Sequence, residues 1–125
     1  MDRVILGNTG LSISRVGFGG IPIQRITQEE VCQLMKRVAD AGINFIDTAK
    51  GYTVSEKYLG CALEGMRDQF VLATKSMSRT KEAMAADIAS SLEALRTDYI
   101  DLYQCHNPSM EQLDTILAPG GALEA

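Results

Sequence analysis

Apolar residues recur along this chain in two alternating forms: short unbroken runs, and stripes at helical spacing. Val4-Ile5-Leu6 and Leu11-Ser12-Ile13-Ser14 flank Gly7-Asn8-Thr9-Gly10 and predict a β-hairpin. Val16 to Gly20 reads as a short strand ending in glycines. Thr27 with Glu30 is a capping-box signature, Val31, Leu34, Met35 and Val38 follow at helical spacing, and Gly42 suits a helix C-terminus, so a helix is predicted over about 28–41. Ile43 to Asp47 predicts a buried strand. Ser55-Glu56 opens a second helix with Leu59, Leu63 and Met66 on one face. Phe70 to Lys75 predicts the next strand, and Thr80 caps a third helix whose stripe is Met84, Ile88, Leu92 and Leu95. Tyr99 to Gln104 predicts a fourth strand, closed by Pro108. Met110 to Leu117 reads as a short helix, broken by Pro119-Gly120-Gly121, and Ala122 to Ala125 as the first turn of another.

The runs start near 16, 43, 70 and 99, a repeat of 27 to 29 residues that fits strand–helix units with short loops. Strands that are apolar throughout imply a parallel sheet covered on both faces. A (β/α)8 barrel and a doubly wound sheet both satisfy that pattern. The doubly wound form wants G-x-G-x-x-G after the first strand. Residues 17–22 read G-F-G-G-I-P instead, with Pro22 where a helix should begin. An N-terminal hairpin that plugs the bottom of a barrel fits as well.

In a β/α barrel the C-terminal ends of the strands form the functional rim. Asp47 ends one strand, Lys75 ends the next, the following strand leads into His106, and Tyr52 lies in the loop after Asp47. An acid, a phenol, an amine and an imidazole thus fall at equivalent places in successive repeats. Their chemistry is complementary. Reduction of a carbonyl by hydride needs a proton for the developing alkoxide, and a phenol is a slow acid at neutral pH. A nearby ammonium stabilises phenolate, a carboxylate holds the ammonium in place, and an imidazole orients the carbonyl oxygen. No side chain supplies hydride, so a cofactor is implied. Each residue also has an ordinary reading, Asp47 as a turn former and Tyr52 as a loop aromatic. Asp47, Glu56 and His106 are the alternative as metal ligands, but no His-x-His or His-x-x-x-His spacing supports them.

Composition adds exclusions. The net charge is −4 over 125 residues, with 46% hydrophobic and 22% charged residues. That describes a packed domain of mildly acidic character, poorly suited to nucleic acid or an anionic membrane. No apolar stretch reaches the ~20 residues of a membrane span, and the N-terminus lacks a signal-peptide core. Cys32, Cys61 and Cys105 are odd in number and widely spaced, which predicts reduced thiols in a cytoplasmic protein. Cys105 beside His106 leaves a thiolate role as the alternative.

Four stretches resemble the aldo-keto reductases. Gly42 to Gly60, G-I-N-F-I-D-T-A-K-G-Y-T-V-S-E-K-Y-L-G, is similar to the family's signature around its catalytic Asp and Tyr. V-L-A-T-K, ending at Lys75, resembles its lysine strand, and L-R-T-D-Y-I-D-L-Y-Q-C-H, ending at His106, its histidine strand. The opening L-G-N-T-G-L-S-I-S-R-V-G-F-G-G resembles its hairpin and first strand. The resemblance implies a TIM barrel that reduces aldehydes or ketones with NADPH, sometimes NADH. It implies Tyr52 as general acid, Lys75 and Asp47 as its modulators, and His106 as substrate orienter. It places Gly19 and Gly20 beside the nicotinamide and Asp47 near its ribose. Thr53 departs from the glycine that many members carry there. D-T-A-x-G-Y-T-x-S-E with T-K-S-M resembles a branch that often bears a ferredoxin-like iron–sulfur segment at its C-terminus.

The family barrel needs eight strands and roughly 250 residues. Residues 1–125 therefore read as a hairpin plus about four β/α units, the N-terminal half of a TIM barrel, ending in the region of the fourth main helix. The expected partners are a small carbonyl substrate, no nucleic acid, no membrane, and self-association through an exposed apolar half-barrel interior. Three readings follow: a piece of a full reductase that is inactive alone, a closed homodimer of half-barrels, or a non-enzymatic scaffold or nucleotide-sensing module.

Overall fold

Four parallel strands carry the molecule, paired in the order in which they occur along the chain, in the computed structural model of residues 1–125. They are β3 (Phe18–Gly19), β4 (Phe45–Asp47), β5 (Val71–Ser76) and β6 (Leu102–Cys105). Helices α1 (Gln28–Asp40), α2 (Ser55–Ala62) and α3 (Lys81–Leu95) connect them in turn. Sequential order with parallel pairing is the arrangement of an opened barrel, not of a doubly wound sheet, whose strand order reverses. Strands β1 (Arg3–Ile5) and β2 (Ser12–Ser14) form the separate antiparallel hairpin. Asn44, just before β4, ties that hairpin to the N-terminal end of the sheet. Its side-chain oxygen accepts from Ser14 N at 2.6 Å, and its amide donates to Ser12 O at 3.0 Å. The hairpin thus sits at the bottom, opposite the rim.

Local chemistry sets the helix starts. The Thr27 hydroxyl accepts from Glu30 N, and the Glu30 carboxylate accepts from Thr27 N at 2.7 Å, closing the expected capping box of α1. Gly42 follows α1 at φ +77°. A second box, Ser109 with Gln112, starts α4 (Met110–Leu117). The main core lies between the sheet and α1/α2, where Val31, Met35, Ile46, Leu59 and Leu72 are all fully buried. Truncating one such Leu costs about 2–5 kcal/mol. A smaller cluster of Met84, Ile116 and Ala122 seals α4 and the last turn, Ala122–Glu124, onto α3.

Several predicted elements are shorter than their apolar runs. Pairing in β4 begins at Phe45, not Ile43, because Asn44 is committed to the hairpin and Ile43 N bonds back to Val38 O. Regular pairing in β6 begins at Leu102, not Tyr99, because the Asp101 carboxylate takes the Leu72 N–H and the Arg67 guanidinium. Helix α2 stops at Ala62, so Met66 lies beyond it, ahead of a 3₁₀ turn at Arg67–Gln69. The interior face of the sheet is partly open. Phe45, Val71 and Leu102 on it are half-buried, whereas the most open large apolar side chains are Met77, Met110, Leu117 and Leu123, in loops, on α4 and in the last turn. No helix is long and apolar enough to cross a membrane.

Candidate active site

Strand alternation decides which residues meet. Asp47 pairs with Ala73 in register, and Lys75 with Gln104, so Asp47, Lys75 and Gln104 share the inner face at the C-terminal end of the sheet. Lys75 Nζ donates to Asp47 Oδ2 at 2.6 Å and to Thr48 O at 2.9 Å. Two of its three donors are therefore used. The Lys75 side chain is only 13% exposed and that of Asp47 is 40% exposed, so the carboxylate faces solvent while the ammonium is shielded. Gln104 Nε2 approaches the other Asp47 oxygen at 3.4 Å.

Tyr52 and His106 complete the rim. Lys75 Nζ stands 5.1 Å from the centre of the Tyr52 ring, within cation–π range. The Tyr52 and His106 rings meet edge to face, with centres 5.8 Å apart and planes at 87°. His106 continues the β5–β6 ladder through its backbone N–H, which donates to Ser76 O at 2.8 Å. Its Nδ1 is buried without a hydrogen-bond partner. All four predicted residues thus converge on one patch. The Tyr52 loop is itself fixed by backbone bonds: Lys50 N to Lys75 O at 3.0 Å, Tyr52 N to Ala49 O at 3.0 Å, and Ser55 N to Tyr52 O at 2.8 Å.

The two glycines differ. Gly19 pairs with Asp47, and a Cβ on it would meet nothing within 4 Å, so its face of the rim is open. Gly20 is buried, and a Cβ there would lie 2.7 Å from Ser55 Oγ and 2.8 Å from Thr48 Oγ1. Packing of the β3 loop onto α2 therefore accounts for glycine at position 20. Glu56 accepts from Thr74 Oγ1 at 2.7 Å on the helix-facing side of β5, so it does not join Asp47 and His106, and no cluster of metal-ligating residues forms. Cys105 packs on the α3 side of β6 rather than at the rim.

Sequence reasoning missed Thr48, Gln104 and Arg79. Gln104 was readable, since alternation puts it on the face of Lys75. The Thr48 contact runs through a backbone carbonyl and leaves no side-chain signal. Arg79 Nη2 donates to His106 O at 2.6 Å from the loop after β5, a contact set by tertiary structure alone.

Sequential parallel pairing, with a Lys–Asp pair, a Tyr and a His gathered at the strand ends, defines half of a β/α barrel. The Aldo/keto reductase family model matches residues 15–118. The chain belongs to the aldo/keto reductase family. It is 34% identical to L-galactose dehydrogenase of Arabidopsis thaliana over 90% of its own length, covering 40% of that protein. The aldo-keto reductase of Bacillus halodurans in its holo form superposes with a TM-score of 0.77 at 30% identity, over 93% of this chain and 45% of that one. A Klebsiella pneumoniae aldo/keto reductase solved with NADP and acetate gives 0.73 at 27% identity, over 89% of this chain and 44% of that one. The chain thus spans less than half the length of these relatives.

Proposed function

We propose that residues 1–125 form the N-terminal half of a barrel that reduces aldehydes or ketones to alcohols, with NADPH or NADH as hydride donor. The observation that carries this reading is the Lys75 ammonium, held by Asp47 at 2.6 Å and by Thr48 O at 2.9 Å, with the Tyr52 ring beside it. Tyr52 gives its phenolic proton to the carbonyl oxygen. Lys75 stabilises the phenolate left behind, and Asp47 keeps Lys75 charged and in place. His106, edge-on to Tyr52, directs the carbonyl oxygen toward the phenol by hydrogen bonding.

The rim suits the reactive end of a nicotinamide nucleotide. The open face at Gly19 admits a flat ring, and the half-exposed Asp47 carboxylate offers an acceptor to a sugar hydroxyl. The bound nucleotide supplies the hydride. The substrate class is a small carbonyl compound.

Tyr52→Phe tests the reading. In the complete barrel this change is expected to lower kcat by about 10²–10⁴-fold, the usual share of a general acid, with nucleotide affinity unchanged. Turnover equal to wild type would remove Tyr52 as the acid and the mechanism with it.

A further inference from the structure

Behind the rim, on the helix side of the sheet, one carboxylate joins the two segments that hold the candidate acid and its ammonium. Asp87 lies on α3. Its Oδ2 accepts from the hydroxyl of Ser76, the residue after Lys75, and from Ser78 Oγ at 2.6 Å. Ser76 Oγ in turn accepts from Ser78 N at 2.9 Å, which folds the end of β5 around the carboxylate. The other oxygen, Oδ1, faces Lys50 Nζ at 3.6 Å. Lys50 also donates to Ser90 Oγ at 2.7 Å, one helical turn along α3 from Asp87. Lys50 stands two residues before Tyr52, and its backbone N–H bonds to Lys75 O.

We propose that Asp87 is a positioning residue that sets the Tyr52 loop against the Lys75 strand end by binding both from α3. Each oxygen serves a different segment, so losing the charge removes the Lys50 contact and weakens the bonds from Ser76 and Ser78. Asp87 touches no rim group directly, and it acts only through Lys50, Ser76 and Ser78. The pair is partly shielded, with side-chain exposures of 32% for Lys50 and 22% for Asp87, so solvent weakens it without displacing it. A displacement of about 1 Å in a catalytic group costs up to a hundredfold in rate. A loop held from behind is therefore a point of control.

This inference rests on the reading of Tyr52 as the acid, and two measurements keep the two claims apart. Hydrogen exchange on the 125-residue chain tests the anchor alone. Asp87→Asn and, separately, Lys50→Met are expected to speed exchange at the Lys50 and Tyr52 amides about tenfold or more, while the Val31 amide in α1 is unchanged. Equal protection in variant and wild type overturns the anchor, and so does a uniform loss across all amides. Kinetics in the complete barrel test the coupling. Asp87→Asn is expected to lower kcat about tenfold with KM within about twofold, and to add less than about twofold in a Tyr52→Phe background. The same tenfold loss in that background overturns the inference and leaves the Tyr52 assignment standing. Wild-type turnover of Tyr52→Phe itself sinks the functional reading, and exchange then decides the anchor independently.

Discussion

Thr53, directly after the candidate acid, holds φ +43°, a left-handed conformation that costs a β-branched residue about 1–2 kcal/mol. Its hydroxyl donates to Gln24 Oε1 at 2.7 Å, a bond that offsets part of that cost and ties the Tyr52 loop to the loop after β3. Thr53→Gly removes strain and bond together, so stability by urea denaturation should change by less than about 1 kcal/mol. Thr53→Val keeps the strain and loses the bond, and should be less stable than wild type by about 0.5–1.5 kcal/mol. A valine variant as stable as wild type would mean that the bond to Gln24 contributes nothing. Asp87 adds a pH dependence. Burial draws its carboxyl upward, but bonds from Ser76 and Ser78 and the charge of Lys50 outweigh burial and hold it below its ordinary value of 3.8. A carboxyl lowered in the folded state adds stability above its unfolded value and loses it as pH falls through the folded one. The stability gap between wild type and Asp87→Asn should therefore shrink from about pH 5 toward about pH 2. A constant gap across that range would show that the carboxylate is not linked to folding. Asp47, Lys75 and His106 were legible because each is a polar residue at or just past the end of an apolar run, and Tyr52 by its place in the next loop. Asp87 was not, because its partners lie at positions 50, 76 and 78 and it reads locally as a polar position of a helix.

Elements were legible where local chemistry decides them. The Thr27–Glu30 box, the hairpin glycines and the stripe of α1 all act within a few residues, and each appears where its pattern predicts it. The Ser109–Gln112 box carries the same signature and was equally readable. Strand ends were not, because Asn44 and Asp101 are diverted by partners 30 and 29 residues away, Ser14 and Leu72. Contact between α2 and α3 was hidden for the same reason. Gly60 sits inside α2, where helix propensity favours Ala by about 1 kcal/mol. A Cβ there would lie 2.3 Å from Ala94 O and 2.8 Å from Leu95 Cα, against backbone that cannot turn away. Overpacking of that kind costs about 1–3 kcal/mol, so packing outweighs propensity. Gly60→Ala should lower the thermal midpoint, measured by circular dichroism. A raised midpoint would show that the two helices do not meet this closely.

At the scale of the molecule, the sheet is a four-stranded arc whose outer strands β3 and β6 each have one unpaired side. The candidate set of Asp47, Tyr52, Lys75 and His106 is linked by one ion pair and two ring contacts, so it is assembled without further strands. Catalysis needs more than that. A hydride donor must be held within about 3–3.5 Å of the substrate carbon, and water must be kept out. Asp47 is 40% exposed here, and the Gly19 side of the rim is open. An open rim leaves the Asp47 side of the Lys75–Asp47 pair in contact with solvent, which weakens its hold on a developing charge. The 125-residue chain is therefore expected to show no NADPH-dependent aldehyde reduction above background, while keeping the parallel sheet and the Lys75–Asp47 contact. The assay is nucleotide oxidation with a reactive aldehyde, beside a Tyr52→Phe control. Turnover that disappears in Tyr52→Phe would show that four strands suffice, and sedimentation of the active species would then tell a working half-barrel from two that have closed on each other.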